Sequence, residues 1–214
     1  NQAQGWQEFT ASLREFHGPM QNFVYADVEG NIGYYAAGRI PIRKQGDGNV
    51  PVRGSTDDYD WTGYVPFENL PHAFNPASGI LATANGRVVP DDYPYFITRK
   101  WAEPYRTARI FQLLEAGGRF TVEDMLRIQN DVYSLECASL IKHVVEAGAA
   151  HPPQDPEAQH ALNLLKSWDG QARQDSAATL VCEVTRDALQ ERVLRPRLGD
   201  DFSRITIVQS GIGT

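Results

Sequence analysis

The hydrophobic pattern of this 214-residue chain changes its period close to residue 100, and that change limits the possible folds more than any other feature. Residues 19–100 carry short apolar runs broken by Gly, Pro, Asn and Asp, the pattern of strands joined by turns. Residues 103–198 carry apolar residues at three- and four-residue spacing, the pattern of amphipathic helices. A short helix over residues 4–17 precedes both. Its Trp6, Phe9, Leu13 and Phe16 form one apolar stripe, and His17-Gly18-Pro19 ends it. The predicted fold class is α+β.

Within the first half, Asn22-Phe23-Val24-Tyr25-Ala26-Asp27 and Ile32-Gly33-Tyr34-Tyr35 flank the turn signal Glu29-Gly30-Asn31, which predicts a β-hairpin. Arg39-Ile40-Pro41-Ile42 extends the sheet, with Pro41 favouring an edge or a strand end. Residues 45–78 read as a long irregular stretch, of the kind that often carries function. Ile80-Leu81-Ala82-Thr83-Ala84 reads as a buried strand stopped by Asn85-Gly86.

The second half is punctuated by helix signals. Pro104 opens a helix that Gly117-Gly118 closes. Thr121 and Asp124 form a capping box, followed by a stripe from Met125 through Ile128, Val132 and Leu135 to about Ala147. Asp155-Pro156-Glu157 starts a third helix that ends at Trp168-Asp169-Gly170, and a fourth covers about 176–195 and stops near Pro196. Cys137 and Cys182 both sit inside apolar helical patterns and read as separate buried thiols.

A net charge of −7 with no basic run argues against nucleic-acid binding, which needs Lys and Arg to displace counterions. No apolar run approaches the ~18 residues of a membrane span. No paired-histidine, C-x-x-C or EF-hand spacing is present, and Gly46-Asp47-Gly48 fails as a dinucleotide fingerprint because Pro51 stands at its third glycine position. The acidic clusters Asp57-Asp58 with Asp60, and Asp91-Asp92, read as solvated turn residues; a calcium-dependent surface module built on Asp57, Asp58 and Asp60 is the alternative they leave open.

An ordered series of short motifs goes further. It runs Gln21-Asn22-Phe23-Val24-Tyr25-Ala26-Asp27, Gly30-Asn31-Ile32-Gly33-Tyr34, Gly63-Tyr64-Val65-Pro66-Phe67, Asn75-Pro76 and Thr83-Ala84-Asn85-Gly86-Arg87. It continues through Asp92-Tyr93-Pro94, Pro104-Tyr105-Arg106 and Trp168-Asp169-Gly170. In order and spacing, over about residues 5–195, this series resembles the β subunit of the penicillin acylase family of N-terminal nucleophile hydrolases. The resemblance implies part of an αββα fold, two stacked sheets between helical layers. It also implies a precursor that cuts itself to expose a Ser, whose own α-amine, with a pKa near ~8, acts as base.

By the same resemblance, Asn85 matches the oxyanion-hole Asn and Arg106 the Arg that orients the nucleophile region. Arg109 is the rival position, but the apolar residues after it favour Arg106. Gln21 stands where the family places an acyl-pocket wall. Gly86 stands where many relatives have a second Asn, a departure expected to loosen the turn that aims Asn85. The loop at Asn49 stands where a main-chain oxygen approaches calcium in the family. Tyr95-Phe96-Ile97 replaces the acidic residue expected after Tyr93-Pro94, so no cofactor is expected, calcium being a feature of the parent at most.

The implied substrate is a small N-acyl amide, a penicillin or an acyl-homoserine lactone among others, and the implied location of the parent is periplasmic or secreted. The chain begins Asn1-Gln2-Ala3-Gln4, which offers no nucleophile. The expectation is a β-subunit fragment that is inactive alone, whose partners are the α subunit and the rest of the β subunit, with self-association through uncovered apolar surface and no nucleic-acid or membrane partner. A non-catalytic relative that keeps the fold is the alternative.

Overall fold

The structure, a computed structural model, describes residues 2–202. The chain divides into two compact units at Gly118–Arg119.

The first unit opens with helix α1 (Trp6–Leu13). Strands β1 (Gln21–Ala26) and β2 (Ile32–Ala37) form the expected hairpin, pairing antiparallel from Gln21↔Ala37 to Ala26↔Ile32. Asp27 builds the turn, its Oδ1 accepting the N–H groups of Glu29 at 3.0 Å and Asn31 at 2.9 Å. β5 (His72–Phe74) pairs with the other side of β2, giving a three-stranded sheet ordered β1-β2-β5. β3 (Pro41–Arg43) does not extend this sheet as expected but pairs with β4 (Trp61–Tyr64) in a second, two-stranded one, and Pro41 stands at the strand start as the missing N–H requires. Residues 45–78 are thus less irregular than their composition implies: β4, a 3-10 turn at Phe67–Asn69 and β5 lie within them.

The aromatic stripe of α1 does the packing. Trp6 stacks on Phe74 at 5.0 Å and meets Tyr25 edge-on at 5.5 Å. It reaches the sheet because Gly33 has no side chain: a Cβ there would come within 2.3 Å of the Trp6 ring. Leu13, Tyr35, Ala37, Ile40, Val65 and Leu70 form the buried core, with Phe9, Phe16 and Phe23 packed against it. The helix itself is shorter than the predicted 4–17. Phe16 lies beyond its end and still meets Phe23 at 5.1 Å, so the apolar spacing outlasts the helical backbone.

Ile80–Ala84 is not a strand. The segment is half-buried, as its composition implies, but among the described residues no strand ladder includes it, and without a ladder an apolar run stays irregular. It leads through residues 85–104 into α2 (Tyr105–Glu115), which follows Pro104 as predicted.

The second unit is helical: α3 (Val122–Gln129), α4 (Leu135–Ala150), α5 (Pro156–Lys166) and α6 (Ala177–Leu198). The capping box of α3 is present in full, Thr121 and Asp124 each bonding the other's backbone N–H. The stripe that predicts one helix to Ala147 is divided between two. Asn130 ends α3, its Nδ2 donating to the Leu126 carbonyl at 2.7 Å, and Ser134 starts α4 by accepting the Cys137 N–H at 3.1 Å. Between them Tyr133 bridges to Gln171 in the α5–α6 connection. Asp155 caps α5 with Pro156 in the first turn, as expected. α6 runs through Pro196 to Leu198. A proline this near the helix end removes one bond without stopping the last turn.

Cys137 and Cys182 are both buried, but they are not separate thiols. They form a disulfide joining α4 to α6, with Cα atoms 6.1 Å apart. Ile141 and Leu165 complete the core around it, and Trp168 packs on that core.

Candidate active site

Asn85 sits in the connection between the sheet and α2, at a backbone conformation few residues adopt. Its φ is +63°, in the left-handed region. Asn tolerates that region better than other side-chain-bearing residues, so it places a carboxamide where the backbone alone would call for Gly. Its main chain is tied down by the Ala102 N–H, which donates to the Asn85 carbonyl at 2.9 Å. Its side chain is tied down by α2: Arg106 Nη2 donates to Asn85 Oδ1 at 3.0 Å. With Oδ1 committed to the guanidinium, the amide's Nδ2 is the donor that faces away from Arg106.

The two residues that the sequence singles out therefore meet. Arg106 occupies the first turn of α2, and Arg109, one turn on, reaches Gln112 Oε1 at 3.5 Å. Gln21 lies at the exposed start of β1 and shares no hydrogen bond with Asn85 or Arg106 among the described residues.

Gly86, which the sequence reads as loosening this turn, faces Thr107 of α2. It is buried, and a Cβ placed on it would lie 3.0 Å from Thr107 Oγ1. The turn lies close to α2, with too little room for a side chain at residue 86. Thr107 Oγ1 is itself buried without a hydrogen-bond partner, as is Thr83 Oγ1 two residues before Asn85. Sequence reasoning missed Ala102 and Thr107. The only signal for Thr107 was its place beside Arg106.

Residues 87–101 pack onto the same unit. Tyr93 Oη donates to the Asn69 carbonyl at 2.7 Å, and Asn69 Nδ2 donates to Tyr95 Oη at 2.9 Å. Arg99 Nε donates to Asp47 Oδ2 at 2.5 Å, and this contact, with help from Asn49, holds the Asp47 carboxyl well below the usual carboxylate range. Arg87, Val89, Tyr93, Phe96 and Trp101 are among the residues lining a cleft of about 300 Å³.

The acidic cluster has other partners. Asp57 pairs with Lys44 at 2.5 Å and Asp58 accepts from Thr56 Oγ1 at 2.8 Å, so two of the three carboxylates of the alternative calcium module are already engaged. No group of three or more His, Cys, Asp or Glu residues is arranged to hold a metal ion among the described residues.

Comparison with known proteins agrees with the motif series. The family model "Penicillin amidase" matches residues 1–211. The chain is 33% identical over 172 residues to penicillin acylase 2 proenzyme of Pseudomonas sp. (strain SE83), covering 80% of this chain and 22% of that protein. It is 35% identical over 181 residues to the acyl-homoserine lactone acylase QuiP of Pseudomonas aeruginosa, covering 80% of this chain and 21% of the relative. The structure superposes on thermostable penicillin G acylase from Alcaligenes faecalis with a TM-score of 0.71 and 26% identity, over 93% of this chain and 37% of that one. The chain thus spans between a fifth and a quarter of the length of these two curated relatives. Its mixed helices and sheets are part of an α+β N-terminal nucleophile hydrolase fold, and the chain belongs to the penicillin amidase family.

Proposed function

We propose that this chain supplies the oxyanion-stabilising part of an N-acyl amide hydrolase. In this reading Asn85 Nδ2 donates to the oxygen that gains negative charge as a nucleophile adds to the amide carbonyl. Arg106 holds the carboxamide from its other end, so that the donor is already aimed before charge develops. A donor fixed in advance costs no reorganisation at the moment of reaction, which is why such groups contribute strongly. The attacking residue, a Ser whose own α-amine takes its proton, comes from a part of the protein outside these residues. The Ser oxygen bonds to the carbonyl carbon, the amine leaves with the proton, and water then hydrolyses the acyl-enzyme.

The observation that carries the reading is the Arg106–Asn85 hydrogen bond at 3.0 Å, between two residues 21 positions apart that the family pattern selects independently. The names of the relatives support an acyl amide as substrate, a penicillin or an acyl-homoserine lactone. The Cys137–Cys182 disulfide supports a parent protein that works in an oxidising compartment such as the periplasm. Gln21 as an acyl-pocket wall rests on the family pattern alone.

The test is Asn85→Ala in the complete protein. It should lower kcat by about 10²–10³-fold with little change in KM, the signature of a group that acts only in the transition state. Full turnover in that variant would sink the assignment. The 214-residue chain by itself should show no amidase activity.

A further inference from the structure

We propose that Thr107 is a positioning residue for Asn85: with Gly86 it forms a close-packed seat that fixes the direction of the Asn85 carboxamide. The proposal rests on the reading of Asn85 as the oxyanion donor and adds a residue that reading does not name.

Three contacts hold the Asn85 turn, and they restrain different atoms. Ala102 N–H restrains the Asn85 carbonyl at 2.9 Å. Arg106 restrains Oδ1 at 3.0 Å. Neither fixes the turn's approach to α2, because a flexible Arg side chain can follow a displaced partner. The third restraint is one of space: the room left between the turn and α2 is smaller than one added carbon needs. Gly86 is buried against Thr107 so closely that a single added carbon would sit 3.0 Å from Oγ1 and 3.8 Å from the Thr107 Cβ. A helical Thr has few χ1 wells to retreat into. Thr107 also follows Arg106 directly, so one helical turn presents both the hydrogen-bond partner and the steric stop.

The Thr107 hydroxyl is buried yet makes no hydrogen bond among the described residues. Its place is therefore not explained by polar satisfaction. A compact oxygen fits where a methyl carbon is bulkier, and that accounts for Thr rather than Val at a position packed on a glycine. A displacement of about 1 Å in a catalytic group can cost about 10²-fold in rate, so the fit of this seat has consequences for turnover.

The experiment is a double-mutant cycle in the complete protein. Gly86→Ala should lower kcat by about 10–100-fold with KM within about twofold. Adding Thr107→Ala, which removes Oγ1, should make room for the new methyl and return kcat to within about threefold of Thr107→Ala alone. Effects of the two substitutions that simply multiply, or a Gly86→Ala protein with full kcat, would overturn the proposal.

If Gly86→Ala does not fold, Thr107→Val and Thr107→Ser decide. Serine keeps the oxygen and should keep kcat. Valine should lower kcat without lowering Tm, since no hydrogen bond is lost; unchanged kcat in Thr107→Val is evidence against the seat. If Asn85→Ala leaves turnover intact, the catalytic reading has failed independently. A crystal structure of Gly86→Ala, or of Thr107→Val in its place, then settles positioning alone. A carboxamide displaced relative to the α2 backbone supports it, and an unmoved one refutes it.

Discussion

Asn85 serves two demands that substitution can separate. Its backbone needs a residue that tolerates φ +63°, and its side chain offers the amide that Arg106 holds. Asn85→Gly should relax the backbone while removing the amide; Asn85→Ala should remove the amide and leave a Cβ in the left-handed region, at a cost of about 1–2 kcal/mol. Both variants should lose kcat to the same extent, while only the alanine variant loses several degrees of Tm. Equal melting temperatures would show that the conformation carries no strain for alanine. Asn85 and Arg106 could be picked out as a pair before their hydrogen bond was seen, because the family pattern marks each residue within its own short motif. Thr107 and Ala102 were not, since a steric stop and a main-chain N–H leave no mark in residue type or spacing.

The helices were legible to the extent that they announce their own ends. Thr121, Asp155 and Pro156 fix the starts of α3 and α5 by chemistry local to the first turn, and the structure matches. The break between α3 and α4 was hidden because the apolar stripe runs straight across it. What decides it is the Ser134 cap together with the Tyr133–Gln171 bridge, and the bridge is non-local. Ser134→Ala should therefore destabilise the helical unit by about 1 kcal/mol, read as a shift of its denaturation midpoint. The Ile80–Ala84 segment fails the opposite way: its residues favour a strand, but among the described residues no neighbour offers a ladder. A pH effect belongs to the α3 cap. Bonds from the Thr121 backbone and hydroxyl, then from Arg127, lower the Asp124 pKa below its ordinary 3.8. Because the folded pKa is the lower one, the cap's contribution is complete above about pH 4 and fades as pH falls through the folded value. Asp124→Asn should flatten the acid limb of the stability curve; an unchanged limb would remove Asp124 from the account.

Each unit has its own buried core, and only the helical one is crosslinked. The disulfide closes a loop of 45 residues between α4 and α6. On the chain-entropy account a crosslink of this length stabilises by ~2–4 kcal/mol, and reducing it should weaken amide-exchange protection across α4, α5 and α6 while β1, β2 and β5 keep theirs. Denatured, unreduced protein should titrate with no free thiol. Two cysteines so far apart in sequence could not be paired from their spacing alone, since each also suits a buried helical position on its own.

What each unit leaves uncovered bears on the chain's behaviour in isolation. On α3, Val122, Met125 and Leu126 share one face and are 72%, 37% and 53% exposed. On α6, Leu180 and Val184, one turn apart, are 66% and 59% exposed. Helices normally bury such stripes, and their exposure fits a chain that spans a fifth to a quarter of its relatives' length. Contiguous apolar patches on a soluble surface promote association, so the isolated chain should self-associate in a concentration-dependent way. Sedimentation at rising concentration reads this directly. Replacing Val122 and Leu126 with Lys and Leu180 and Val184 with Glu should shift the distribution toward monomer without changing helix content. A strictly monomeric parent chain at high concentration would mean that these faces are tolerated as ordinary surface.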